Sequence, residues 1–111
     1  MALVWYYVRD LEAALRFYAG KLGFTETSRD EQEGWVKLAR GRTTIGLTEG
    51  EPQTNGGVAV VDVDDVKEVA EQLRTQSVEV GVVFELHGEM RLLDVYDPDG
   101  NRIQFAEDVS G

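Results

Sequence analysis

The chain contains no cysteine, a single histidine and only two prolines among its 111 residues. The lack of cysteine excludes disulfide bridges, thiolate metal sites and a cysteine nucleophile. The sequence has no apolar run long enough to cross a bilayer, and its start lacks the basic region and apolar core of a signal peptide. We therefore expect a cytoplasmic protein that does not associate with membranes.

Basic side chains are also scarce. The 11 lysines and arginines are outnumbered by 21 aspartates and glutamates, which gives a formal net charge of −10. Such a surface repels phosphate backbones, which argues against nucleic acid as a partner, and it attracts cationic small molecules. The alternative interpretation is that the negative charge only keeps the protein soluble and indicates no particular ligand. The length and the 42% hydrophobic content predict one domain with one modest core.

The first half of the chain is predicted to form a strand, a helix and three further strands. Residues 3–8 are rich in aromatic and β-branched residues, and their alternation places Leu3, Trp5 and Tyr7 on one face. Asp10 is a candidate N-cap for a helix with an apolar stripe at helical spacing. The three strands are predicted at 24–28, 35–39 and 43–48.

The same order of elements repeats after residues 50–57, whose proline and glycines are typical of a linker. Residues 58–63 are almost continuously apolar and predict a buried strand, and Asp65 with Glu68 is a capping-box pattern that opens a helix. Further strands are predicted at 78–86, with a break at Gly81, at 90–96 and at 102–106. We therefore divide the single domain 1–111 into module one (1–49), a linker (50–57) and module two (58–111), two halves that cover each other's sheets.

Four short motifs occur in order along the chain: the stretch from Val8-Arg9-Asp10-Leu11 to Phe17-Tyr18, then Leu22-Gly23-Phe24, Val63-Asp64-Asp65-Val66 and the turn Asp97-Pro98-Asp99-Gly100-Asn101. Together they resemble the glyoxalase, bleomycin-resistance and extradiol-dioxygenase superfamily, also called vicinal oxygen chelate. The resemblance covers nearly the whole chain. It implies an α+β fold in which two tandem βαβββ modules form a curved mixed-sheet cup, and a homodimer with ligand cavities inside the cups.

Metal-dependent members of that superfamily carry His, Gln or Glu ligands at inward positions on the first and last strands of each module. The motifs place those positions at Leu3, Gly46, Val58 and Gln104. Leu, Gly and Val supply no side-chain donor, whereas a divalent ion needs several converging oxygen or nitrogen donors. We therefore expect neither a metal nor another cofactor.

A second group of candidate ligands is Glu85, His87 and Glu89, which would share one face of a strand. Gly88 predicts a turn at which this alternation fails, so we expect the three groups to point into solvent. Metal binding at this spot stays open as an alternative. No serine lies in a nucleophile elbow, and Gly56-Gly57 precedes a strand instead of a helix, which excludes a phosphate-binding loop.

The remaining candidates for function line the predicted cup. Aromatic walls with few polar groups are typical of small-molecule pockets, although aromatic side chains also fill cores and dimer contacts. The face of Lys37, Thr44, Thr48 and of Met90 or Arg91 is left open by alternation. The predicted ligand-binding residues are Trp5, Tyr7, Trp35, Val58, Val60, Asp62, Arg102 and Gln104.

We interpret the chain as a metal-free protein that binds a planar, cationic small molecule such as an antibiotic. One alternative is a lyase, isomerase or dioxygenase of the same superfamily. Such an enzyme would use an atypical metal site, or Asp62, Arg102 or a tyrosine as its acid–base group. Another alternative is a ligand-responsive partner domain without activity of its own.

Overall fold

The computed structural model describes residues 3–52, 57–86 and 88–109. The first module comprises β1 (Leu3–Val8), α1 (Leu11–Tyr18), β2 (Thr25–Asp30), β3 (Trp35–Arg40) and β4 (Thr43–Glu49). The second comprises β5 (Ala59–Asp62), α2 (Val66–Thr75), β6 (Phe84–Leu86), β7 (Met90–Tyr96) and β8 (Arg102–Asp108). The βαβββ order therefore occurs twice, which confirms the predicted α+β fold. Residues 53–56 of the predicted linker lie outside the described residues, so the module boundaries stay a prediction.

Each module builds its own four-stranded mixed sheet. Sheet one has the order β1-β4-β3-β2, and sheet two has the corresponding order β5-β8-β7-β6. In both sheets the first strand runs parallel to the last, and the other pairs are antiparallel. Alternate side chains of both sheets join the helices in one continuous apolar core. Neither helix of the described residues packs on the other side of either sheet, and we call that side the open face.

Both helices begin at the predicted aspartates. Asp10 accepts a hydrogen bond from the backbone amide of Ala13 at 3.2 Å, and Asp65 accepts one from Glu68 at 3.1 Å. These carboxylates satisfy amides that have no partner inside the helix and also face the positive end of the helix dipole. All the residues predicted for the inward stripe of α2 are buried: Val66, Val69, Ala70 and Leu73.

A glutamate near the end of each module's last strand also caps that module's helix. Glu49 accepts a hydrogen bond from the amide of Leu11 at 3.2 Å, and Glu107 accepts one from Val66 at 2.9 Å. The two modules therefore correspond in individual side-chain contacts as well as in element order.

Two buried tyrosines of module one connect it to module two. The Tyr6 hydroxyl accepts a hydrogen bond from the amide of Ala59 at 2.8 Å and donates one to the carbonyl of Arg102. The Tyr18 hydroxyl donates to Asp97 Oδ2 at 2.7 Å. The two rings stack with their centroids 6.1 Å apart. These bonds fix the position of one sheet against the other within the apolar core.

The turn from Asp97 to Asn101 is part of this connection. Asp97 is buried, and its Oδ1 accepts hydrogen bonds from the amides of Asp99 and Asn101 at 2.9 and 2.8 Å. Gly100 has φ +87°, a conformation that glycine adopts without strain. The Asn101 side chain donates to Asp97 Oδ2 at 2.9 Å and to the carbonyl of Tyr7 at 3.0 Å. What the sequence presents as a tight turn is therefore also a buried contact between the modules.

One prediction about a strand is right in part, and another is wrong. The predicted break at Gly81 is present in residues 78–86, but before it only Val80 pairs, in an isolated bridge to Val95, and after it the strand is limited to Phe84–Leu86. Residues 58–63 are not buried throughout: β5 alternates between buried and exposed positions, and Val60 is 47% exposed. An apolar residue on an open sheet face gives the same sequence pattern as one in a doubly covered strand. In the described part of the chain, no helix is long and apolar enough to span a membrane.

Candidate functional site

An aromatic cluster lies on the open face of sheet one. Trp5 on β1 and Trp35 on β3 meet edge to face, with ring centroids 6.1 Å apart and planes at 85°. The Lys37 ammonium nitrogen lies 6.0 Å from the Trp5 ring centroid and 5.4 Å from that of Trp35. Strand register explains the cluster, because both Trp5 and Lys37 pair with Gly46 of the intervening strand β4. We call Trp5, Trp35 and Lys37 the indole cluster.

Glycines make room for the aromatic rings on this face. A β-carbon at Gly46 would lie 2.6 Å from Cδ2 of Trp5, and one at Gly50 would lie 2.9 Å from Cδ1 of Tyr7. Despite this packing Trp5 is 38% exposed and Tyr7 is 37% exposed. Large aromatic side chains that are held in place but partly exposed suit a ligand that stacks on them.

A polar cluster occupies the open face of sheet two. The Gln104 side-chain amide donates to Asp94 Oδ1 at 3.1 Å, and Arg102 Nε lies 3.1 Å from the same oxygen. That Arg102 contact is an ion pair without the alignment of a hydrogen bond. Because Asp94 pairs directly with Gln104 across β7 and β8, their side chains leave the sheet on the same side. The strand partners on this face are mainly apolar: Val60, Phe84, Leu86, Met90, Leu92 and Ala106.

A small cavity of about 280 Å³ lies where β4 meets β5. Val58, Val60 and Asp62 line it from module two, and Thr44 lines it from module one. The Thr43 hydroxyl donates to the carbonyl of Val60 at 2.6 Å, which holds the two sheets together beside the cavity.

The predicted site residues thus fall into separate groups, and their role in binding stays a prediction. Trp5, Tyr7 and Trp35 belong to the open face of sheet one. The residues predicted in module two are on sheet two or beside the cavity: Val58, Val60, Asp62, Arg102 and Gln104.

The sequence left open the face of Lys37, Thr44, Thr48 and of Met90 or Arg91. Thr48 pairs with both Tyr7 and Trp35 and so lies on their side of sheet one, and Thr44 lines the cavity. Lys37 joins the indole cluster, which its spacing of two residues from Trp35 makes possible on a strand. Met90 pairs with Leu86 and Asp108, whereas Arg91 lies 3.5 Å from Glu107, the glutamate that caps α2. Arg91 therefore faces the helix side and Met90 faces the open side.

The positions that correspond to metal ligands do not fit a divalent ion. The Trp5 ring fills the space above Gly46, and the Gln104 amide is bonded to Asp94. The part of the chain that the structure describes contains no group of three or more His, Cys, Asp or Glu residues that could hold a metal. His87 lies outside the described residues, and the Glu85 carboxylate is 3.4 Å from Arg91.

Two tyrosines are unsuited to acid–base chemistry near neutral pH. Burial raises the pKa of Tyr6 to about 12. Burial, together with the neighbouring Asp97 carboxylate, also raises the pKa of Tyr18. Both hydroxyls form hydrogen bonds to residues of module two, so Tyr6 and Tyr18 have a structural role.

Paired βαβββ modules, each with a sheet that is open on one face, define the vicinal oxygen chelate fold. The family model of the Glyoxalase/Bleomycin resistance protein/Dioxygenase superfamily matches residues 2–105, and the chain belongs to that superfamily. A comparison with curated protein sequences gives no significant match.

Solved structures of the same superfamily share the fold at low sequence identity. Lactoylglutathione lyase from Agrobacterium tumefaciens is 18% identical with a TM-score of 0.79, covering 96% of this chain and 92% of that one. The bleomycin resistance determinant encoded on the transposon Tn5 is 19% identical with a TM-score of 0.80, covering 97% of each chain. The bleomycin-binding protein from Streptomyces verticillus, solved with copper(II)-bleomycin, is 22% identical with a TM-score of 0.76, covering 96% and 93%. At these identities the similarity shows the fold alone.

Proposed function

We propose that this protein binds a planar organic small molecule on the open face of sheet one and that it does so without a metal. The observation that carries the proposal is the indole cluster, in which two tryptophans meet edge to face on the open face of sheet one, away from both helices that the structure describes. A planar ring that stacks on an indole buries apolar area on both partners and gains favourable ring–ring contacts.

The surroundings of the cluster support a preformed site. Because Gly46 has no side chain, the Trp5 ring lies against the strand backbone, and Gly50 leaves space for the Tyr7 ring in the same way. Rings that are already held in place lose little conformational entropy when a ligand arrives. Two of the similar structures are named as a bleomycin resistance determinant and a bleomycin-binding protein, which makes drug binding a function that this fold accommodates.

Fluorescence titration tests the proposal directly. The chain has two tryptophans and both belong to the indole cluster, so tryptophan emission reports on this face alone. We expect saturable quenching or a spectral shift with at least one member of a panel of bleomycin-type and other planar drugs. Trp35→Leu should weaken that binding at least tenfold, because it removes one stacking surface while leaving an apolar side chain.

The exposed tyrosine of β7 supplies a matched control. Tyr96 is 55% exposed, and Tyr96→Phe should leave the affinity unchanged. If no compound in the panel alters the emission and expression protects no host cell from any of them, the proposal is wrong.

We also propose that a second copy of the chain covers the open face of sheet two, which gives a homodimer. Phe84 and Leu86 of the edge strand β6 are 45% and 46% exposed, and apolar side chains clustered on one sheet are typical of subunit contacts. Phe84→Glu should shift the mass measured by sedimentation velocity from dimer to monomer. Val82→Glu, at an exposed position outside the strands, should not. A wild-type protein that sediments as a monomer at high micromolar concentration contradicts the dimer.

A further inference from the structure

We infer that the ligand of the indole cluster carries an anionic group, such as a carboxylate, beside its planar ring system, and that Lys37 binds this group. The inference rests on the proposed function and names the class of ligand for the same site.

The position of the Lys37 ammonium gives the first reason. Its nitrogen lies to one side of both indoles, 6.0 Å from the Trp5 ring centroid and 5.4 Å from that of Trp35. A ring that stacks on Trp5 or Trp35 therefore brings its substituents close to a fixed positive charge. A charge-assisted hydrogen bond from an ammonium to a carboxylate is stronger than one between neutral groups.

The lack of an acidic partner for Lys37 gives the second reason. In the described ranges, Arg16, Lys21, Lys37, Arg40, Arg42 and Lys67 form no ion pair with a carboxylate, and of these six Lys37 is the one whose charge lies over the two indoles. On β2, Glu26 lies opposite Leu38 and its carboxylate is paired with Arg29. Asp30 lies opposite Trp35, and its Oδ1 accepts a hydrogen bond from the amide of Glu33 at 3.0 Å. In a chain with 21 acidic residues, an ammonium on an aromatic surface without an acidic partner is a local positive site.

The net charge of the chain favours a cationic ligand, whereas the positive charge of Lys37 on this face favours an anionic one. The net charge of −10 attracts cations at a distance, but that field is screened over a Debye length of about 8 Å at physiological salt. At the indoles themselves, a cationic ligand would compete with Lys37 for the ring faces and would be repelled by it. Contact interactions determine which molecule stays bound, so the structure favours an anionic ligand over the cationic one that composition alone suggests.

Three probes of the same shape and different charge test the inference. Naphthoate is anionic, naphthylmethanol is neutral and naphthylmethylammonium is cationic, and each can be titrated to millimolar concentration by amide-detected NMR on the full-length protein. We expect naphthoate to bind about tenfold more tightly than naphthylmethanol, with the cation weakest. Lys37→Met should abolish the preference while keeping an apolar side chain of similar length, and Lys37→Arg should retain it. Lys67→Met, which removes the same charge from α2, should change nothing.

The outcomes separate the two proposals. If the three probes bind equally, if the cation binds best, or if Lys37→Met keeps the preference for naphthoate, the inference about charge is wrong and the indole cluster remains a ligand site. If no probe shifts the resonances of the indole cluster, both the inference and the proposed site are wrong. The circular dichroism spectrum and thermal midpoint of each variant show that it is folded.

Discussion

Trp5 and Gly46 pair across the parallel strands β1 and β4, and the Trp5 ring occupies the space into which a side chain at position 46 would project. The resemblance of the sequence motifs implies that metal-dependent members of the superfamily carry a metal ligand at this position of the last strand of module one. Here the same space holds an indole of the indole cluster. The Trp5 ring on β1 therefore packs into space that is free only because Gly46 on β4 has no side chain.

Gly46→Ala should destabilise the protein by about 1–3 kcal/mol, which is the usual cost of overpacking a filled site. A β-carbon there would lie 2.6 Å from Cδ2 of the ring, so Trp5 must move. Urea unfolding measures the change, and tryptophan emission should shift with it. In a Trp5→Ala background the same glycine substitution should be nearly neutral, since the obstructing ring is gone.

Gly81→Ala is the matched control for this substitution. Its β-carbon would meet the carbonyl oxygen of Asp94 at 3.8 Å, an ordinary contact distance, and we expect a change within about 0.5 kcal/mol. Equal effects at the two glycines would show that the contact between Trp5 and position 46 is unimportant.

The sequence predicts much of this fold because local signals and the repeat agree. The predicted bounds of β1 and β7 match the structure, and both helix-capping aspartates are confirmed. These elements depend on alternation and on contacts between residues close in the chain, which a sequence displays directly. Residues 78–86 are predicted less well for the opposite reason: they are rich in strand-forming residues, but only Val80 and Phe84–Leu86 pair with β7.

The candidate site is predictable only in part. Alternation identifies Trp5 and Tyr7 as residues on one face, but the meeting of Trp5 with Trp35 depends on the order of strands in the sheet. The bond between Tyr18 and Asp97 joins residues 79 positions apart, and neither carries a signal of the other in the sequence. The composition also gives the net charge but not the position of each charged side chain in the folded protein. Lys37 on the aromatic face therefore could not be expected from a net charge of −10.

Tyr6 should make stability fall steeply at alkaline pH. Its pKa is raised from 10.0 to about 12, so the folded state holds the phenol proton more tightly than the unfolded chain does. This stabilisation is fully present below pH 10 and is lost as the pH rises from 10 through 12. A shift of this size corresponds to roughly 3 kcal/mol, and urea midpoints measured across that range should reveal it.

Tyr6→Phe should flatten that alkaline fall while lowering stability at pH 7. The variant leaves the buried amide of Ala59 without its acceptor, which costs about 1–3 kcal/mol. Part of the loss of stability at alkaline pH should remain in the variant, because the pKa of Tyr18 is also raised. An unchanged alkaline profile in Tyr6→Phe would contradict the assignment. Tyr96→Phe, on an exposed tyrosine, should behave as wild type throughout.

Asp97→Asn should destabilise the connection between the modules by about 2–4 kcal/mol. Asp97 Oδ2 accepts from the Tyr18 hydroxyl at 2.7 Å and from the Asn101 side chain at 2.9 Å, and Oδ1 accepts from two amides. An asparagine replaces one acceptor by a donor, so buried donors in this turn lose their partners. Thermal unfolding measures the loss.

Asp99→Asn makes the same chemical change two residues further along the turn. The Asp99 side chain is 13% exposed and accepts from the Arg9 amide at 3.3 Å, but its ion-pair partner, the Arg9 side chain, is 66% exposed. Because pairs that reach solvent contribute about 0–1 kcal/mol, we expect a smaller loss at Asp99 than at Asp97. A small effect at Asp99 beside a large one at Asp97 would show that the hydrogen bonds that Asp97 accepts, and not the loss of a negative charge, determine the cost. Similar effects at both positions would contradict this account.

Removal of metal ions should leave the protein unchanged. Elemental analysis of purified protein should find less than stoichiometric zinc, nickel, manganese or iron, and treatment with EDTA should alter neither the thermal midpoint nor the affinity for a ligand of the indole cluster. The physical reason is the donor set: Leu3, Gly46 and Val58 have no ligating side chain, and the Gln104 amide is bonded to Asp94.

A stoichiometric metal whose removal abolishes binding would favour the alternative of a superfamily lyase, isomerase or dioxygenase. If His87→Ala then removed that metal, the site would be the Glu85, His87 and Glu89 segment, and the indole cluster would have to be reconsidered as a purely structural feature of sheet one.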